Sequence, residues 1–322
     1  MLLWNLVLAC GSVPAEAEAA KTPSTGHPEG YEVLHGSGRF EPSGAVLLGN
    51  TLWVASDKPL VANHSALASA FYKEVWDRPI LTESVPTPLD QGAKGPKLEA
   101  GAWDAASQRI IWWSTTSQRP ISCDAAMKGC VEGDSIKPAL HAAAKSEAGA
   151  EIVYVSVEGL ALVEGETWLG TRRYATAAGA TLWPRVLKDD GRVLWEPGSK
   201  VEHGGHEFSI SDLHLDDKDR LWMLWSYEAE AAKTRADVGG FIALATLEDG
   251  RVSSVRRCTE VFEGKPEALV YRQGNKREEL WVLFDNDDDT KDPEGKDPQR
   301  FPLRLDQDYL WETALPSCDK DL

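Results

Sequence analysis

Val157-Glu158-Gly159-Leu160-Ala161-Leu162, a polar turn over Val163–Glu166, and then Trp168-Leu169-Gly170-Thr171-Arg172 form the stretch that decides the fold. A carboxylate opens a short apolar run, Glu and Gly make a tight turn, and an aromatic-bearing run returns to end on a hydroxyl and a charge. This is the pattern of a β-hairpin. Four further copies lie outward from it. Glu41 leads to Leu52-Trp53-Val54, Glu99 to Ile111-Trp112-Trp113, Asp212 to Leu221-Trp222-Met223, and Glu267 to Leu280-Trp281-Val282. The five acidic residues stand 58, 59, 54 and 55 positions apart. A period of that length fits a four-stranded blade plus a loop, and repeats of one supersecondary unit must stack to bury their faces.

The expected architecture is therefore all-β, a β-propeller of five blades built from four-stranded antiparallel sheets, with six blades left open because residues 123–149 have room for a degenerate unit. Turn chemistry recurs at Val163–Glu166, Asp216–Asp219 and Gln273–Lys276. The Ala-rich patch at 139–150 reads as outer structure of blade 2 or a short helix. Tyr31–Leu34 precedes the first repeat and is expected to supply the outer strand of the last blade, closing the ring. The recurring Trp residues are expected to pack blade against blade.

The chain has 34 basic and 51 acidic residues, a formal charge of −17, which repels nucleic acid and anionic lipid at long range. The sequence contains no apolar run of spanning length. Residues 1–10 end in Val7-Leu8-Ala9-Cys10 and resemble a lipoprotein signal, with Cys10 lipidated, residues 11–30 a flexible tether and 31–322 one propeller domain. The expected location is the bacterial cell envelope, with the membrane touched only through the lipid and the protein a monomer. Four cysteines then remain. Cys123 with Cys130 would staple a loop and Cys258 with Cys318 would tie the C-terminal tail to a blade; the other pairings stay open, and zinc is the alternative.

Propeller geometry brings the start of each first strand and the end of each second strand to one face. Glu41, Glu99, Glu158, Asp212 and Glu267 are thus candidates for a ring at the channel mouth, beside Asp57, Lys58, Arg172, Asp285, Asn286 and Asp287 as candidate ligand-binding residues. Converging carboxylates cannot all stay ionised without compensation. Ca2+ is one answer; backbone N–H groups with Lys58, Lys97, Arg172 and Lys265 are another, and shared protons with a catalytic role a third. His203 and His206, with Glu207, lie in a Gly-rich connection before Asp212 and are candidates for a metal ligand or general base. His214 should share the strand face of Asp212. The acidic run at 285–289 lacks EF-hand spacing, and no nucleophile elbow, P-loop, zincin or dinucleotide motif is present.

The stretches Val157–Leu162 with Trp168–Arg172, and Lys265–Val270 with Val282–Asp287, are similar to bacterial propellers grouped as phytase-like or esterase-like, and to a propeller family marked by E-G-L-A repeats. The resemblance spans residues 31–310. A phytase-like relation implies calcium at the mouth and hydrolysis of a phosphoester or ester by a metal-activated water; a lactonase of the gluconolactonase type also holds calcium by carboxylates in a propeller channel. The functional expectation is an envelope lipoprotein binding a small-molecule ligand at its mouth, with or without hydrolysis. The alternative is a non-catalytic platform for an envelope protein.

Overall fold

The computed structural model describes residues 31–33, 42–49, 51–56, 67–73, 78–84, 97–115, 117–148, 152–177, 181–182, 184–228, 238–274, 277–285 and 309–322. The chain enters with β1 (Tyr31–Val33) and then lays down five antiparallel sheets in sequence order. Blade 1 is β2 (Pro42–Leu48), β3 (Thr51–Ser56), β4 (Leu67–Lys73) and β5 (Arg78–Ser84). Blade 2 is β6 (Leu98–Asp104), β7 (Arg109–Ser114), β8 (Arg119–Asp124) and β9 (Val131–Glu132), followed by helix α1 (Lys137–Ala148).

Blade 3 is β10 (Ile152–Val163), β11 (Glu166–Thr176), β13 (Val186–Lys188) and β14 (Val193–Trp195), with β12 (Thr181–Leu182) also on β11. A hairpin of β15 (Glu202–His203) and β16 (His206–Glu207) precedes blade 4, which is β17 (Ser209–Leu215), β18 (Leu221–Glu228), β19 (Val238–Glu248) and β20 (Arg251–Arg257), with β21 (Phe262–Glu263) on β19. Blade 5 is β22 (Lys265–Gln273), β23 (Glu278–Asp285) and β24 (Tyr309–Ala314), and its fourth strand is β1, which pairs Tyr31 with Trp311 and Val33 with Tyr309. The N-terminal strand thus closes the ring as the sequence predicts. The tail returns to blade 4, where β25 (Lys320–Asp321) pairs with β20.

Five first strands touch in a circle, β2 with β6, β6 with β10, β10 with β17, β17 with β22, and β22 back to β2. The blade number is five: residues 123–149 make the outer edge of blade 2 and the helix. Ser135 caps that helix by accepting from the Lys137 N–H, Pro138 suits its first turn, and Leu140 is fully buried against blades 2 and 3.

Each neighbouring pair of blades shares its own apolar cluster, five clusters for five interfaces. Strand alternation feeds two of them at once. Trp112 enters the cluster between blades 1 and 2 while Trp113 enters the one between blades 2 and 3; on β18, Trp222 and Leu224 face blade 5 while Met223 and Trp225 face blade 3. A sheet covered on both faces needs apolar residues at consecutive positions, so the second strands read as unbroken hydrophobic runs. Both expected disulfides form, Cys123 with Cys130 and Cys258 with Cys318.

Candidate functional site at the channel mouth

Each first strand skips a residue in its pairing with the second strand at the same place in the repeat, and the longer β10 skips Val153 as well. The unpaired residue is Ser43 in blade 1, Glu99 in blade 2, Glu158 in blade 3, Ser211 in blade 4 and Glu267 in blade 5. A bulge of this kind re-aims one side chain out of the ladder. All five residues are buried, at 5%, 4%, 7%, 1% and 5% exposure. The structural repeat is therefore three glutamates and two serines. Asp212 stands one residue past its bulge, and Glu41, two residues before Ser43, lies outside the described residues along with Asp57, Lys58, Asn286, Asp287 and Cys10. Asp285 ends β23, its backbone opposite Lys265.

In a pentagon the vertex facing the edge between blades 2 and 3 is blade 5, so Glu267 faces the Glu99–Glu158 pair across the mouth. Cations compensate them. Lys97, two residues before Glu99, holds its carboxylate at 2.6 Å, and Lys265, two residues before Glu267, does the same at 3.3 Å. In blade 3 that position is Ser156, whose hydroxyl donates to Glu158. Arg172, within β11 of blade 3, donates to Glu228 at 3.1 Å, and Lys265 also approaches Glu228 at 3.9 Å. Burial works against the Arg172 charge, but Glu267, Glu158 and Glu228 more than offset it and raise its pKa further. Glu228 and Ser156 were not distinguishable in the sequence as site residues; the Lys-x-Glu spacing at 97–99 and 265–267 was the available signal.

The compensation is incomplete at one member. Burial first, and then the neighbouring Glu158, push the Glu99 carboxyl up to about 8 in spite of Lys97, so it keeps its proton at neutral pH. Glu267 is also raised, by burial, with Lys265 and Arg172 pulling the other way.

Asp212 does different work. Its two oxygens accept the N–H groups of Leu213 at 2.8 Å and Leu269 at 2.7 Å, with Leu160 also donating, so one carboxylate stitches the inner edges of blades 3, 4 and 5. Its pKa is raised by burial against those three bonds.

His203 and His206 face each other across the β15–β16 hairpin, joined by Gly204 and Gly205 with φ of 61° and 85°, the backbone a two-residue type I′ turn requires. The hairpin leans on the mouth rim: the His206 ring stacks on Tyr227 at 4.2 Å, one residue before Glu228. His203 is exposed, and Lys200 holds Glu207 at 2.7 Å. His214 pairs with Trp222 on β18, and burial pushes its imidazole down to about 4. Among the described residues no three His, Cys, Asp or Glu side chains are arranged to share a metal ion, and no helix is long and apolar enough to cross a membrane.

No family model matches the chain, and no curated protein does. Solved structures are similar over most of its length. An endo-arabinase from Bacteroides thetaiotaomicron VPI-5482 is 10% identical, covering 91% of this chain and 100% of its own, with a TM-score of 0.44. A GH43 endo-arabinanase from Bacillus licheniformis is 11% identical over 87% and 96%, with a TM-score of 0.40. An exo-β-1,3-galactanase from Clostridium thermocellum is 10% identical over 91% and 64%, with a TM-score of 0.47. Likeness this distant bears on neither substrate nor activity, and the reading of the site rests on its own side chains.

Proposed function

We propose that this chain is an exported, lipid-anchored five-bladed β-propeller that binds a small polar ligand at the mouth formed by blades 2, 3 and 5. The observation that carries this is the content of the bulge. Blades 1 and 4 place serine at the repeated position, so the fold itself needs no carboxylate there. Three buried glutamates at the remaining positions cost stability that apolar residues would not, and groups retained against that cost are the mark of a working site. Among the described residues the exposed large apolar side chains are Val131 and Leu322.

Among the described residues the donor set does not suit a calcium ion. Lys97, Lys265 and Arg172 already stand against the three glutamates, and a divalent cation would enter the field of all three. The proposed binding therefore does not run through the metal-dependent chemistry of phytase-like or lactonase-like propellers. If the mouth hydrolyses its ligand, Glu99, its carboxyl pushed up to about 8 by burial, is the group with a proton to give at neutral pH. Export is supported by the Leu8-Ala9-Cys10 signal and by two disulfides, which persist in oxidising compartments.

The test is calorimetric titration of the Cys10→Ser chain, with Glu158→Gln and Glu267→Gln alongside. The panel is neutral oligosaccharides, inorganic phosphate, simple alkylamines and Ca2+. One organic or anionic class is expected to bind and to lose at least tenfold in affinity in both variants, with Ca2+ silent. Binding that survives both substitutions, or a panel that never binds, would sink the proposal; stoichiometric Ca2+ binding lost in both would restore the metal reading.

A further inference from the structure

Blade 5 is the only blade whose four strands come from both ends of the described chain. Its fourth strand, β1, contributes three residue pairs. Its own three strands lie between Cys258, just after β20 of blade 4, and Cys318, just after β24, a separation of 60 residues. The disulfide between them brackets the whole blade and fastens its far end to the blade before it.

The surroundings are built around that bond. Leu315 and Cys318 pack with Cys258 and Phe262 against the apolar cluster of blades 4 and 5. Next to them β25 pairs with β20 through Lys320 with Arg257 and Asp321 with Arg256, and the Leu322 N–H donates to the Val255 carbonyl at 3.0 Å. Inside the bracket, β22 carries Lys265 and Glu267, while their partners Arg172 and Glu228 belong to blades 3 and 4 outside it. Slack in blade 5 would therefore be slack in one side of the mouth.

The two disulfides differ in access. Cys123 is fully buried in the cluster of blades 1 and 2 with Cys130 half-buried beside it, so one sulfur of this bond is shielded, and the bond closes a separation of seven residues. Cys258 and Cys318 are both half-buried. Exposed disulfides are the ones thiols reach first.

We infer that the Cys258–Cys318 bond is a redox lock on blade 5, opened selectively by a dithiol reductant and loosening the mouth when it opens. One thiolate of the reductant attacks one sulfur to form a mixed disulfide. Its second thiol then displaces the protein sulfur, leaving Cys258 and Cys318 as thiols and the reductant as a cyclic disulfide, two electrons and two protons having passed to the protein. The effect on ligand rests on the mouth being the binding site; the loosening of blade 5 does not.

The experiment takes the Cys10→Ser chain through graded dithiothreitol, maps free thiols by alkylation and mass spectrometry, and measures backbone hydrogen exchange on the same samples. Cys258 and Cys318 are expected to open at a dithiol concentration at least tenfold below that for Cys123 and Cys130. Exchange in β22 and β24 is expected to rise at least tenfold, with β6 and β7 unchanged and reoxidation restoring protection. In Cys318→Ala, β22 should already exchange fast and dithiol should add nothing. Simultaneous opening of both disulfides, a change confined to residues 315–322, or a dithiol response persisting in Cys318→Ala would each overturn the lock. None of these readouts uses a ligand, so they stand or fall apart from the binding titration.

Discussion

At the scale of single residues, the mouth is a lesson in what burial does to a carboxyl. Glu99 has a lysine at salt-bridge distance and still sits at about 8, because losing water and facing Glu158 outweigh that one cation. The folded protein therefore holds a proton that the unfolded chain releases near the ordinary value of 4.5. Stability from this proton is complete below 4.5 and is lost as pH rises through about 8. Wild-type protein should lose stability between pH 6 and pH 9 in urea titrations, while Glu99→Gln, neutral throughout, should lose less. The variant should be the more stable at pH 9 by roughly 1–3 kcal/mol; equal slopes in the two proteins would mean Glu99 is ionised at neutrality. Glu99, Glu158 and Glu267 were legible in the sequence because each opens an apolar run at the repeat spacing. Their equivalents Ser43 and Ser211 were not, since a serine draws no attention and a reading keyed to acidic residues settles on Glu41 and Asp212 beside them. Only pairing register identifies the bulge, and register is a property of two strands.

At the scale of elements, the inner strands approach so closely that side-chain size decides whether they fit. A methyl placed on Gly159 of β10 would lie 2.8 Å from the Leu213 nitrogen and 2.9 Å from the Asp212 carbonyl carbon of β17, both backbone atoms that cannot turn aside. Gly44 stands in the same relation to Ala100, at 2.8 Å from its Cα. These glycines follow the bulge directly, so the residue that lets blades touch adjoins the one that lines the mouth. Gly159→Ala should cost about 1–3 kcal/mol by overpacking. Gly198→Ala, where nothing lies within 4 Å, should stay within about 0.5 kcal/mol of wild type. Comparable losses at both sites in chemical denaturation would refute the close approach. The hairpins and the Trp-bearing strands were readable from alternation and turn residues, whereas four cysteines leave three pairings open and the structure selects one of them. The helix was ambiguous because an Ala-rich stretch has little amphipathic contrast, and its place was fixed by Leu140 finding a gap between two blades.

For the molecule as a whole, closure is where a ring of five sheets is weakest, because every other blade boundary is a continuous chain and this one is a three-residue strand. One device closes that boundary and a second steadies the blade that carries it. From one end of the chain β1 pairs with β24, and from the other the tail is bonded to blade 4. In the chain-entropy account a loop of this length contributes roughly 4 kcal/mol, more than three strand pairs supply. A chain lacking residues 1–33 should therefore still fold when oxidised, with a stability loss of about 1–3 kcal/mol. Its β24 edge would lie open, which favours self-association at high concentration. Reduced, the same chain has neither device. The joint loss should exceed the sum of the two separate losses by at least about 1 kcal/mol, because both act on the position of one blade. Denaturation of four samples, with and without β1 and with and without dithiol, measures that excess directly. Strict additivity would mean that the strand and the bond hold different parts of the ring, and that blade 5 has a support the two ends of the chain do not provide.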